Sequence, residues 1–302
     1  MAEQTSFAEF SSEIEHVLKF KPLKRPVWTQ HKALLIARYL RYFVYITHHG
    51  NYIDGFAGPQ RERKEGAGDM WSARLALQNE PRWLRKFFLY DLDPTQGAAL
   101  KRLVEEDAET HEEMRRSDKS LPKRRYDVKI GDFNAIVDDV LANGALRPKE
   151  ATFALLDQRS LECNWDTVAK LANFKSPPEH KIEIFYFLAT GWLERTLAAH
   201  KKVEKIDAWW GSSEWAQVRK SSGQKWAAEV VRRFTTELGY KYVVPWPITE
   251  LEKGKGRTMY YMIHATDHPE APKLMNRASN SVLAPPESHE QIQLALGLLD
   301  PA

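Results

Sequence analysis

The chain has almost no cysteine, no long apolar run and no dominant charge, and each lack removes a class of protein. Cys163 is the single cysteine in 302 residues. That excludes an intramolecular disulfide framework and a cysteine-rich zinc centre, and it fits a reducing compartment. The most apolar stretch, "IEIFYFLA" at 182–189, is strand-sized, well short of the roughly 20 apolar residues of a membrane helix. The opening "MAEQTSFAEFSSEIEH" carries acids and hydroxyls where a signal peptide has a basic start and an apolar run. The expectation is a cytoplasmic protein with no membrane contact. Lysine and arginine number 44 against 41 acids, a net charge of +3 with a pI near 8.7. A polyanionic partner, DNA or RNA, is compatible with that balance but not demanded by it.

What is present suffices for a sizeable core. With 43% hydrophobic and 28% charged residues, the chain can build one large α/β domain or two modest ones. "WTQHKALLIARYLRYFVYIT" (28–47) places Leu34, Leu35, Tyr39, Tyr42, Phe43 and Ile46 at three- and four-residue spacings, which predicts an amphipathic helix with Thr29 as its N-cap. Strand-like segments then follow at 52–54, 86–93, 126–132, 151–157 and 181–189, and helix-like segments lie between them at 70–79, 94–109, 133–142 and 164–174. Short apolar strands separated by helix-length crossovers predict a parallel sheet buried on both faces. After a charged helix at 224–239, two β-rich runs at 240–248 and 258–266 flank the polar "EKGKGR" and read as an antiparallel hairpin.

The expected fold is therefore α/β: a Rossmann-like, seven-stranded, mostly parallel sheet with a terminal antiparallel hairpin and helices on both faces. Residues 1–50 form an N-terminal helical lead and 51–280 the main domain, with a helical cap inserted at 191–223. Residues 281–302 form a tail whose short apolar helix is suited to docking on a neighbour. Ligands of such sheets bind outside the carboxyl ends of the strands. Asp54, Asp91, Asp93, Asp132 and Asp157 end or follow the predicted strands, so five acids are expected on one rim.

Individual motifs carry the chemistry. In "DGFAG" (54–58), glycines allow a sharp turn and close approach of backbone to a ligand, although an ordinary strand-to-helix turn needs the same residues. "FFLYDLDP" sets two acids at the next strand end. Asp91 suits the hydroxyls of a ribose, while Asp93 before Pro94 suits a helix N-cap. A capping role for both acids is the plainer alternative. Cys163 lacks a visible activating partner and reads as a buried spectator. No histidine spacing suggests a metal: His264 and His268 lie four apart at a probable strand end, where that spacing does not align ligands. Trp192, Trp209, Trp210, Trp215 and Trp226 fall among Arg195, Lys201, Lys202, Lys205, Arg219 and Lys220. Such a mixture serves either base stacking or simple packing.

Taken in order, "WTQHK", "YIDGFAGPQ", "FLYDLDPTQGAAL", "GDFN", "FALLDQRSLECNWDTVAKLA", "KIEIFYFLATGWLERTL" and "MYYMIHATDHPEAPKLM" resemble the three-Cys-motif partner family over residues 28 to 280. The resemblance implies a class I S-adenosylmethionine-dependent methyltransferase-like fold and S-adenosylmethionine as cofactor. It also implies a neighbouring partner protein similar to radical S-adenosylmethionine enzymes. By that resemblance Asp54, Gly55, Phe56, Ala57 and Gly58 hold the methionine part of the cofactor and Asp91 its ribose. Asp132 binds the adenine amino group and Phe133 packs on the ring, with an N-cap as the alternative for Asp132.

"LLDQRSLECNW" occupies the position of the catalytic fourth motif. Asp157 and Gln158 would orient an amine or hydroxyl, with Glu162 as a base. Gln158, Arg159 and Ser160 replace the small, stiff continuation common in such enzymes. Arg61, Arg63 and Lys64 of the loop after the glycine turn, with Arg159, would meet the substrate. The implied activity is methyl transfer to nucleic acid or a nucleobase-derived group. The alternative is a non-catalytic or differently catalytic partner of the radical-enzyme-like protein in a phage or defence-associated system.

Overall fold

The computed structural model describes residues 32–59, 71–158, 161–190, 193–199, 203–249, 258–282, 284–285 and 287–298. The chain enters through α1 (Lys32–Thr47), whose Leu35, Ile36, Tyr39, Leu40 and Phe43 are buried at helical spacing. It continues as β1 (Gly50–Asp54), α2 (Ser72–Leu77), β2 (Leu84–Asp91), α3 (Pro94–Ser117), β3 (Arg125–Ile130) and α4 (Phe133–Ala142). Next come β4 (Thr152–Leu156), α5 (Trp165–Asn173), β5 (Glu183–Leu188), α6 (Leu193–Ala199), α7 (Val203–Trp210), α8 (Trp215–Val218) and α9 (Gly223–Thr236). The hairpin strands β6 (Tyr242–Thr249) and β7 (Thr258–Thr266) lead to α10 (Ala271–Ser281) and α11 (His289–Ala295).

The seven strands form one sheet in the order β3-β2-β1-β4-β5-β7-β6. β1 pairs in parallel with both β2 and β4, β2 with β3, and β4 with β5; β7 runs antiparallel to β5 and to β6. The expected α/β architecture is what is found. Alternate strand residues feed two cores: Ile53, Phe88 and Tyr90 face one, Tyr52, Phe87 and Leu89 the other, as a period of two requires. The first core is closed by α4, α5 and the helices from α6 to α9, the second by α1, α2, α3, α10 and α11. From β1 the chain winds outward through β2 and β3, then returns to β4 on the other side of β1. The gap between β1 and β4 is thus the point where strand order reverses, where such sheets open a crevice.

Several local expectations shift. β2 stops at Asp91 and β3 at Ile130, two residues before the predicted ends, because Asp93 and Asp132 turn outward to cap α3 and α4. α3 runs eight residues past the expected 109, with buried Asp107 and His111 extending its inner face. Trp209, Trp210, Trp215 and Trp226 are all buried in the first core, so these four belong to packing and not to an exposed stacking platform. Arg233 lies between two of the rings of this core, 3.9 Å from the Trp165 centroid and 4.6 Å from that of Trp210. Trp192, Lys201 and Lys202 lie outside the described residues. The helix of the C-terminal tail docks on its own chain: Ile292 is buried in the second core, and Tyr42 and Tyr45 of α1 bond Glu287 and His289.

Candidate functional site

The glycine turn after β1 is built around two contacts that only glycine permits. A Cβ at Gly55 would overlap the ring of Phe133, and one at Gly58 would overlap the carboxylate of Asp91. The close approach at Gly58 lets its N–H donate to Asp91 Oδ2 at 2.8 Å, while Asp93 N–H donates to Oδ1 at 2.9 Å. Both oxygens of Asp91 are thereby aimed, and each retains a second lone pair. Neighbouring backbone bonds fix the turn in the sheet: Gly55 N–H to Leu155 O at 3.3 Å and Ala57 N–H to Tyr90 O at 2.7 Å.

Above this turn lies a cleft of about 830 Å³, within the size range of small-molecule sites. Gly55, Phe56, Gly58, Asp91, Asp93, Asp132, Phe133, Asp157 and Glu162 all line it. Four of the five acids expected on the rim therefore face one hollow. Asp54 does not. It sits beneath, 1% exposed, and accepts from Phe56 N–H at 3.0 Å and from the Tyr52 hydroxyl at 3.1 Å. Burial, with repulsion from Asp157 and Asp91, pushes its carboxyl up to about 7. Ala57 is likewise buried under the turn. Phe133 is 2% exposed; its ring stacks on Tyr90 at 5.6 Å and meets the edge of Phe56 at 6.4 Å. Asp93 caps α3 by accepting from Thr95 N–H, and Asp132 caps α4 by accepting from Asn134 N–H at 2.9 Å.

The fourth-motif residues separate. Asp157 lines the cleft. Gln158 is buried and spent on structure: its amide N–H donates to Phe187 O at 3.1 Å, and its carbonyl accepts from Glu162 N–H at 3.0 Å and Cys163 N–H at 2.9 Å. It shapes the loop that presents Glu162 and does not line the cleft. Cys163 is buried, and burial with the nearby charges of Asp132 and Glu162 pushes its thiol well up, away from nucleophilic use. Arg61, Arg63, Lys64 and Arg159 lie outside the described residues. No group of three or more His, Cys, Asp or Glu able to hold a metal occurs among the described residues.

Three contributors carried no assignment in the sequence. Lys32 of α1 reaches Asp157 across 125 positions, its Nζ 2.7 Å from Oδ1 and 2.5 Å from Oδ2. Asn134 latches the start of α4 to the loop before α5: its amide donates to Glu162 O at 2.7 Å and accepts from Asn164 N–H and the Thr167 hydroxyl, each at 2.8 Å. Leu92, 69% exposed, forms an apolar lip of the cleft between Asp91 and Asp93. For Lys32 the only sequence signal was a single cation at the head of an apolar helix. Asn134 stood inside "GDFN" unassigned.

The fold and cleft define an α/β protein with a candidate ligand site at the reversal of strand order. No family model matches the chain, and no curated protein matches it significantly. Among solved structures it is similar to a crystal structure of protein LPL1258 from Legionella pneumophila strain Philadelphia 1, described under the family model DUF519. The TM-score is 0.42 at 11% identity, over 84% of this chain and 93% of that one. A likeness so distant bears on neither family nor activity. No described helix is long and apolar enough to cross a membrane.

Proposed function

We propose that the protein binds S-adenosylmethionine in this cleft and is a methyltransferase-like enzyme acting on nucleic acid or a nucleobase-derived group. The observation that carries the reading is the Gly58–Asp91 contact between the ends of β1 and β2, next to the strand-order reversal. There a backbone turn without a side chain and an aimed carboxylate meet beside a hollow large enough for a nucleoside. Of the cofactor residues that the resemblance to the three-Cys-motif partner family implies, Gly55, Phe56, Gly58, Asp91, Asp132 and Phe133 line this cleft, while Asp54 and Ala57 lie buried beneath it. The charge of the cleft supports it too: Asp91, Asp93, Asp132, Asp157 and Glu162 line it with Lys205 as the one cation among the described lining residues, an environment suited to a ligand bearing a sulfonium and an ammonium.

The donor set fits such a ligand. Asp91 has lone pairs left for two ribose hydroxyls, Leu92 offers an apolar surface to a base, and Asp157 and Glu162 offer acceptors at the far wall. When bound, the cofactor supplies an electrophilic methyl group. The chain's own part is to hold the two reactants in line and exclude water, where proximity helps most. Gln158, committed to loop structure, takes no part in that alignment.

The test is titration calorimetry with S-adenosylmethionine on the wild type and on Asp91→Ala. The expected outcome is binding by the wild type and a loss of at least about tenfold in the variant, the worth of a charge-assisted hydrogen bond. A wild type that does not bind the cofactor ends the reading. The commitment of Gln158 to structure favours one second reading, a non-catalytic partner of a radical S-adenosylmethionine-like protein. Cofactor binding with no methyl transfer to DNA or RNA pools would select it.

A further inference from the structure

The acid at the far wall of the cleft has a dedicated counter-ion, and that pairing says what kind of group the wall accepts. Lys32 and Asp157 are both nearly buried, with side chains 10% and 8% exposed. The ammonium contacts both carboxylate oxygens and stands 5.1 Å from the Phe187 ring centroid and 6.0 Å from that of Tyr260. Behind Asp157, then, lie a cation and two aromatic rings; in front of it lies the cleft. Taking two charges out of water is costly unless the pair is close and its remaining lone pairs are met. Here the pair is close, and Asp157 keeps acceptor capacity toward the hollow.

Resting on the cofactor reading above, we propose that Lys32 is a positioning residue that holds Asp157 as an acceptor-only carboxylate facing the transfer position. The site thereby selects a ligand group that carries an N–H or O–H. The methyl acceptor is accordingly an amine or a hydroxyl, oriented by donating to Asp157, and not an aromatic carbon, whose C–H is too weak a donor to be oriented in that way. Lys32 touches neither reactant. It acts through the carboxylate, by gripping both of its oxygens from the side away from the cleft and so fixing the direction in which it can accept. The N-terminal end of α1 becomes part of the site through this one contact.

The experiment compares two probes by calorimetry: S-adenosylhomocysteine and sinefungin, an analogue with a primary amine where the methyl group would be. The wild type should bind sinefungin more tightly by roughly tenfold. Asp157→Asn should erase that ratio while still binding S-adenosylhomocysteine. Lys32→Met should lower the ratio roughly tenfold, and Lys32→Arg, which can grip a carboxylate with two N–H groups, should restore it. General damage to the fold would weaken both probes alike and leave the ratio intact. If Lys32→Met fails to fold, Asp157→Asn and Lys32→Arg still decide: a wild-type ratio in the first, or a lost ratio in a folded Lys32→Arg, overturns the proposal. An unchanged or raised ratio in a folded Lys32→Met does the same. A wild type that binds neither probe removes the cofactor reading itself, whereas binding of both without preference removes only the role given to Lys32 and Asp157.

Discussion

The two rims of the sheet bury the same kind of residue and treat it in opposite ways. At the rim where the parallel strands begin, half-buried Glu150 and buried Glu183 are closed by side chains of their own protein. Glu150 accepts from Lys86 at 2.6 and 2.8 Å and from Asn51 at 3.0 Å. Glu183 is bonded by His264 at 2.9 Å and the Thr266 hydroxyl at 3.0 Å. The hollow beside Glu183 is about 80 Å³. At the rim where those strands end, Asp54 and Asp91 are held mainly by backbone N–H groups. Lys32 is the one cation bonded to Asp54, Asp91 or Asp157 among the described residues, and the hollow is about 830 Å³. An acid that meets donors on its own chain stabilises the fold, whereas acids crowded beside an open cleft oppose it. On the proposed reading, a cationic ligand supplies what the chain withholds.

The sharpest way to test that contrast is pH. Burial, aided by Asp157 and Asp91, raises Asp54 from an ordinary value of 3.8 to about 7. Between those values the folded protein holds a proton that the unfolded chain has released, so stability falls as pH rises from about 4 to about 7 and is level above. The upper limit of the effect is about 4 kcal/mol. Asp54→Asn keeps an acceptor for Phe56 N–H and removes the titration. Urea denaturation of both proteins across this range should show a shallower decline in the variant, which becomes the more stable of the two near pH 8. Parallel curves would mean that Asp54 is not the strained acid of this rim.

The opposite rim should answer with the opposite sign. Burial alone would raise Glu150, but hydrogen bonds from Lys86 and Asn51 outweigh it and bring the carboxyl below its usual value. Its contribution is thus present above the unfolded value and is lost as pH falls through the folded one. Glu150→Ala would leave Lys86 with only Ala145 O, at 2.7 Å. The expected cost is about 2 to 3 kcal/mol, the lower side of a broken buried pair because both partners keep some exposure. Cofactor affinity measured on the same protein should be unchanged, since no residue of this rim lines the cleft. A weakened affinity would show that the rims are coupled through the sheet.

The same contrast governs what could be read in advance. Runs such as "TFALL" in β4 are buried at every position and announce a central parallel strand, and the glycine turn and the acids after it lie in a local order that needs no tertiary knowledge. α4 was legible to the residue because Asp132 caps it and its apolar spacing is regular. What escaped were the long-range pairings. Nothing near Lys32 in the chain marks Asp157 as its partner, and Gln158 could be assigned to the loop only once Phe187 O was beside it. The tryptophans left both readings open because aromatic–cation mixtures serve packing and stacking alike; Arg233 between Trp165 and Trp210 is such a mixture turned inward.

The smallest expected effect separates the two roles that sequence allowed Asp132. Its side chain accepts from Asn134 N–H at 2.9 Å and from the Asn134 amide at 2.8 Å, so it caps α4 whatever else it does. Asp132→Ala should cost about 1 kcal/mol, the usual worth of such a cap, and Asp132→Asn only a few tenths, since asparagine caps nearly as well. If the carboxylate also receives an amino group of the ligand, Asp132→Asn should weaken cofactor binding several-fold at almost unchanged stability, because a charged acceptor has become a neutral one. A variant matched to the wild type in both urea midpoint and calorimetric affinity would confine Asp132 to the helix end. Asp91 and Asp157, held respectively by a glycine N–H and by Lys32, would then carry the ligand contacts proposed for the strand-end acids of this rim.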